Sequence, residues 1–410
     1  MPVKARTNTD AARSCAVRRR GVVAVALLLA ACASTLTPGP FYQVAPSAGA
    51  QPGALLRVEP MTAAPAGATA QRILYASTGL DGAPIAVSAV VIVPAGAAPA
   101  RGRDIIAWAH PTTGVARDCA PSLLPDMYDK VQGLQAMLAQ GYVVVATDYP
   151  GLGGPGVHPY LVGVSEGRAV LDSVRAARRL PDVHTTPRFA VWGHSQGGHA
   201  ALFAGELARG YAPELELVGV AAAAPATDLA VLLRDDLATS TGKILTALSL
   251  WSWSRVYDDA LTRVVAADAL PSVGRIAGTC LETWGEAYRA AFDVELMPAP
   301  FLLGTPFANQ PWSDLLAQNA PGQASAGAPV FIAQGGADVV VRPDVTAAFV
   351  ARLCRRNEKV RVLDLPGVGH MTAAQVSANA AVEWMGARFA GAAPPDDCAQ
   401  RLPARPTSTG

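Results

Sequence analysis

The chain has 410 residues, 51% hydrophobic and 16% charged, which is enough apolar material for one large domain or two ordinary ones and too much for a disordered chain. Thirty-three Lys and Arg face 32 Asp and Glu, yet residues 1–20 hold six of the basic residues and a single acid, Asp10. The other 27 basic and 31 acidic residues carry a net charge of −4 with no basic stripe, which excludes a nucleic-acid partner.

The basic start runs into an apolar stretch at 21–31. It is too short to span a bilayer and the right length for the core of an export signal. It ends Leu29-Ala30-Ala31-Cys32, which resembles a lipobox, so residues 1–31 are expected to be a lipoprotein-type signal with Cys32 lipidated and membrane-anchored. An ordinary secretory signal cleaved near Ala33 is the alternative; in both readings the mature protein is exported, to the cell envelope or beyond. Export makes disulfides the expected state of Cys119, Cys280, Cys354 and Cys398, in any of three pairings. No CxxC or HxxxH spacing occurs, so neither a metal nor another cofactor is expected.

Residues 32–60, rich in Ala, Pro, Gly and Ser, read as a tether. Segments 71–77 and 85–93 read as a β-hairpin turning at Asp81-Gly82. Strand patterns follow at 104–109, 142–147, 189–192, 217–222, 330–333 and 360–365, alternating with helical patterns at 128–140, 166–180, 199–209, 345–355 and 374–389. This alternation predicts a mostly parallel α/β sheet with helices on both faces. It breaks between 225 and 327, a mostly helical block holding Trp251, Trp253, Trp284 and Trp312, which reads as a cap inserted between the core halves 61–224 and 328–392. For any one of these tryptophans, filling the cap's own interior is the expected role. Residues 393–410 form a Pro-rich tail that Cys398 can staple down.

Gly193-His194-Ser195-Gln196-Gly197 fits G-x-S-x-G between a strand and a helix, the setting that lifts a serine on a tight turn above a sheet. The pattern recurs at Gly163-Val164-Ser165-Glu166-Gly167, but Pro159 interrupts the segment before it, so Ser165 reads instead as a helix N-cap. A serine nucleophile needs a base, and the base an orienting acid, in the chain order Ser, acid, His. His370 lies in a loop after the last strand; His199 sits in the nucleophile's own helix, His194 packs beside it, and His110, His158 and His184 precede Ser195. Asp338, off the end of segment 330–333, is preferred as the acid over Asp344, which opens a helix, and Asp364, which lies within a strand. Oxyanion donors are expected from the N–H of Gln196 and from the loop at 112–114, with Thr113 and Gly114 as the candidates.

Trp108-Ala109-His110-Pro111-Thr112-Thr113-Gly114, Asp118-Cys119-Ala120-Pro121-Ser122, Ala146-Thr147-Asp148-Tyr149-Pro150-Gly151-Leu152-Gly153 and His158-Pro159-Tyr160-Leu161 resemble the secretory lipase family, the yeast lipase A type. So do segments 193–198 and 335–338 and Gly369-His370. The resemblance implies an α/β-hydrolase fold with a helical cap, a monomer acting on small-molecule or lipid carboxylic esters without metal. It also implies Ser195 as nucleophile, Asp338 as acid, His370 as base, and the disulfides Cys119–Cys280 and Cys354–Cys398. An acyltransferase, an amidase or peptidase, or a non-catalytic surface lipoprotein on the same scaffold are the rival readings.

Overall fold

Strand β4 (Arg103–Ala109) is buried along its whole length, which is what a continuous apolar run demands of a strand covered on both faces. Side chains alternate across it: Ile106 and Trp108 enter one apolar layer, Ile105, Ala107 and Ala109 the other. In the computed structural model, which describes residues 37–402, β4 sits inside a nine-stranded sheet. Strands β1 (Leu55–Pro60), β2 (Ala68–Thr78) and β3 (Pro84–Pro94) form an antiparallel meander at one edge. Next to β3 come β5 (Val143–Thr147), β4, β6 (Thr185–His194), β7 (Glu216–Ala223), β8 (Val330–Gly335) and β9 (Val360–Leu365), all mutually parallel.

Two short helices, α1 (Met127–Lys130) and α2 (Leu134–Ala139), follow β4, and α3 (Gly163–Arg178) and α4 (Gln196–Tyr211) pack against each other beneath the sheet. Between β7 and β8 lie α5 (Leu229–Asp235), α6 (Ser240–Val256), α7 (Leu270–Ala277), α8 (Trp284–Glu295) and α9 (Trp312–Gln318). A mostly helical block is expected at 225–327, and the residues between β7 and β8 carry these helices and one isolated bridge, Val265–Leu302. Trp253 and Trp312 stack inside it, ring centroids 6.0 Å apart, whereas Trp284 stands 94% exposed. Helices α10 (Pro343–Arg355), α11 (His370–Phe389) and α12 (Cys398–Arg401) are the last among the described residues.

Both disulfides implied by the resemblance are present. Cys119–Cys280 ties the loop after β4 to the cap, and Cys354–Cys398 ties α10 to the tail. The signal segment and Cys32 lie outside the described residues.

Two expectations need correction. Residues 38–60 belong to the folded body rather than to a tether. Tyr42 is fully buried with its hydroxyl 2.7 Å from Ser122 Oγ, Arg72 covers the Phe41 ring at 4.4 Å, and β1 pairs with β2. Two aromatic anchors and a backbone ladder hold a segment whose composition looks like a linker. The helix expected at 128–140 is broken in two: Val131 turns extended after Lys130, and Gly133, with φ 84°, supplies the left-handed residue that precedes the second helix.

Candidate active site

Ser195 occupies the single residue between β6 and α4 with φ 56°, a strained value for a residue with a side chain. Its neighbours explain why the turn closes. A Cβ on Gly193 would fall on the Gly197 carbonyl, and one on Gly197 on the Ala109 carbonyl, so only glycine lets strand, turn and helix approach. Ser195 N–H donates to the Ala223 carbonyl of β7 at 3.0 Å, which fixes the turn to the sheet.

The structure brings the three expected triad residues together. His370, first residue of α11, places Nε2 2.9 Å from Ser195 Oγ and Nδ1 2.8 Å from Asp338 Oδ2. Asp338 is buried just past β8, and its other oxygen accepts the backbone N–H groups of Val340 and Val341 at 2.9 and 2.8 Å. The competing acids are engaged elsewhere: Asp344 pairs with Arg342 in the first turn of α10, and Asp364 pairs with Arg401.

His194 packs its ring 4.9 Å from that of His370 and donates from Nε2 to the His370 carbonyl at 3.0 Å. Burial, reinforced by the neighbouring His370, pulls its pKa down to about 3. A histidine whose pKa is depressed in the fold contributes stability above its unfolded value near 6.5, and loses it as the pH falls toward 3. His194→Asn, which keeps a donor for the carbonyl, is therefore expected to flatten the acid limb of stability by one proton, about 1.4 kcal/mol per pH unit. Urea denaturation of both proteins at pH 7, 6 and 5 measures the difference, and parallel curves would contradict it.

The second G-x-S-x-G sequence proves to be part of the site's support. Ser165 lies inside the first turn of α3, with Val162 at the N-cap, so it is neither nucleophile nor the expected cap. Gly163 and Gly167 are packing glycines: a Cβ on the first would overlap the Phe203 ring, and one on the second would press on Ala204 N at 3.0 Å. Between them, fully buried Glu166 accepts from Gln196 Nε2 at 2.7 Å and Leu161 N at 2.9 Å, and faces His199 Nδ1 at 2.8 Å. His199 Nε2 lies 2.8 Å from the Asn319 carbonyl of the cap, so both ring nitrogens face acceptors. Glu166 and His199 thus form a fully buried acid–histidine pair that links α3 to α4 and, through Asn319, to the cap. Gln196 Nε2 also lies 3.1 Å from Nε2 of His158, whose Nδ1 donates to the Pro150 carbonyl. Burial lowers His158 to about 3, so it is neutral and accepts from Gln196.

The loop after β4 meets the cap and the disulfide through two of its expected residues. The Thr113 carbonyl accepts from Leu281 N at 2.8 Å, and the Cβ side of Gly114 faces Cys119 Sγ, so both lean toward the disulfide and the cap. Thr112 Oγ1 lies 2.8 Å from the hydroxyl of Tyr160, which lines the same pocket as Ser195 and Gln196. That pocket is narrow and apolar, walled by Leu161, Leu229, Leu232, Leu233 and Leu245. Its charged lining residue is Asp236, whose carboxyl burial raises to about 6. Arg342, four residues after Asp338, bridges Asp235 at 2.8 Å and Asp236 at 3.3 Å and so holds the cap to the core beside the triad.

Sequence reasoning overlooked Glu166, Tyr160, Asp236 and Arg342. Only Glu166 carried a signal, an acid at the start of a helix that otherwise buries its apolar face.

Residues 128–397 match the secretory lipase family. The chain belongs to that family. Its relatives include "Probable inactive lipase MT1628" of Mycobacterium tuberculosis (strain CDC 1551 / Oshkosh), 33% identical over 46% of this chain and 46% of that protein. Trichothecene C-3 esterase of Fusarium sporotrichioides is 30% identical over 50% of each chain. The chain thus spans about half the length of these relatives. Among solved structures, Candida antarctica lipase A in its closed state superposes with a TM-score of 0.75 at 22% identity, covering 92% of this chain and 91% of that one. A match at that identity establishes a common fold, the α/β-hydrolase sheet with its cap.

Proposed function

We propose that this secretory lipase family member is a serine hydrolase that cleaves carboxylic esters through an acyl-enzyme. The observation that carries this reading is the unbroken chain from Ser195 Oγ through both nitrogens of His370 to buried Asp338. His370 takes the Ser195 proton as Oγ attacks the ester carbonyl, and Asp338 stabilises the imidazolium that forms. The oxyanion is held by the N–H of Gln196, at the N-terminus of α4 where the helix dipole adds positive potential, and by one N–H of the loop at 112–114, with Thr113 and Gly114 as the candidates. His370 then protonates the leaving alcohol, and water releases the acid by the same route.

The leucine-lined wall beside Ser195 favours an acyl chain by its apolar chemistry. Export is supported by the two disulfides and by membership of a secretory family. Anchoring through a lipidated Cys32 and a monomeric state belong to the same proposal. The rival reading, a non-catalytic scaffold, draws on the relative named as inactive.

A fluorophosphonate probe separates the two. An adduct on Ser195, located by peptide mass spectrometry and absent from His370→Ala, is the expected result, with turnover of p-nitrophenyl esters in a chain-length series beside it. No adduct in buffer and none in detergent would remove the hydrolase reading.

A further inference from the structure

Asp236 is buried in the same pocket as Ser195, among Leu229, Leu232, Leu233 and Leu245. A carboxyl among leucines costs desolvation that an apolar side chain would avoid. Holding the cap to the core does not account for it. Arg342 already meets Asp235 at 2.8 Å and Asp344 at 3.4 Å, and it reaches only Oδ1 of Asp236, at 3.3 Å. Among the described residues Oδ2 accepts no hydrogen bond. The place of Asp236 is nonetheless fixed. It opens a single turn of 3-10 helix directly after α5, and its carbonyl receives the Thr239 N–H at 2.9 Å and the Thr239 hydroxyl at 3.0 Å. A Cβ on Gly242 would overlap that same carbonyl, so only glycine lets α6 pack so close. A held carboxyl with one oxygen unmatched, in the pocket of the nucleophile, is suited to recognition.

We propose that Asp236 selects esters whose acyl chain carries a hydroxyl group, which donates to Oδ2. The proposal rests on the ester-hydrolase reading and names the substrate class within it. Burial raises the carboxyl to about 6, so at pH 8 it is ionised and can only accept. What it lacks is therefore a donor. A substrate ammonium is the wrong one: Arg342 already supplies a positive partner, and a cation entering between leucines loses its hydration where a neutral hydroxyl loses far less. A hydroxylated acyl chain meets both parts of the wall, its methylenes lying on the leucines and its single donor on Asp236. Asp236 also feels the charges of Asp338 and His370, which places the recognised hydroxyl close to the reacting carbonyl rather than at a distant surface.

The test compares kcat/KM at pH 8 for methyl hexanoate, methyl 3-hydroxyhexanoate and methyl 6-hydroxyhexanoate on one sample of the full chain. A ratio taken within a sample does not depend on how much of a variant is folded. Wild type is expected to favour at least one hydroxy ester over methyl hexanoate by about tenfold, the worth of a hydrogen bond to a charged group. Asp236→Leu is expected to lose that preference, and Asp236→Asn, whose amide oxygen can still accept, to keep part of it. Equal ratios in wild type and Asp236→Leu would overturn the proposal. So would a preference that follows Asp236 only when the hydroxyl sits on the alcohol half, read with 4-hydroxybutyl hexanoate against butyl hexanoate. The two readings fail differently: turnover of every ester without preference removes this one and leaves the hydrolase standing, whereas turnover of none removes both.

Discussion

Ser195→Ala is expected to lower kcat for a soluble ester about 10⁴–10⁶-fold, with His370→Ala alike and the double variant no worse than either alone. Non-additivity is the signature of groups acting as one unit, as the 2.9 and 2.8 Å contacts imply. Asp338→Asn is the sharper probe. Two backbone N–H groups already point at Asp338 Oδ1, so the amide oxygen of an asparagine must take that place. Its NH₂ then faces His370 Nδ1 and forces the proton onto Nε2, where the ring can no longer accept from Ser195. A fall of about 10⁴-fold with unaltered stability is expected, measured by initial rates and urea denaturation on the same samples. Rates within tenfold of wild type would mean that another group serves as base.

The triad was legible because chemistry restricts it so tightly. A serine on a glycine-bounded strand-to-helix turn can be supplied with a base only from a loop at the same end of the sheet, and His370 was the downstream histidine that met this condition. Its acid followed from position, since Asp338 comes off the end of β8 while Asp344 and Asp364 have ordinary structural uses. The sheet was legible for a related reason: buried parallel strands are apolar runs whatever surrounds them. Edge strand β1 was not, because four of its six residues are exposed and its hold on the fold is backbone pairing that leaves no apolar pattern. The tertiary path of the loop after β4 was equally hidden. Thr112, Thr113 and Gly114 are chemically interchangeable as N–H donors, so the residue types leave the choice among them open. The disulfide pairing itself rested on family resemblance, since cysteine spacing leaves three pairings open.

Glu166 is expected to be the most costly residue to remove outside the triad. Glu166→Ala would leave His199 Nδ1, the Gln196 amide and the Leu161 N–H without their shared partner in a fully buried place. Breaking a buried pair in this way costs about 3–5 kcal/mol. Glu166→Gln is expected to be far milder. Its oxygen can keep Gln196 and Leu161, and its NH₂ can donate to Nδ1 of a neutral His199 ring whose Nε2–H donates to Asn319. The two variants also separate stability from chemistry. The side chain of Gln196 is clamped between Glu166 and His158, and its backbone N–H is the proposed oxyanion donor. Loosening that clamp by even an ångström is worth about 10²-fold in rate, so kcat should fall about 10–100-fold in Glu166→Ala, measured where the protein remains folded, and less than tenfold in Glu166→Gln. The ratio of ester to thionoester turnover identifies the cause, because sulfur is a poor acceptor in an oxyanion hole. A ratio that collapses in Glu166→Ala and recovers in Glu166→Gln assigns the loss to the oxyanion donor. A ratio equal in all three proteins would leave Glu166 a purely structural role.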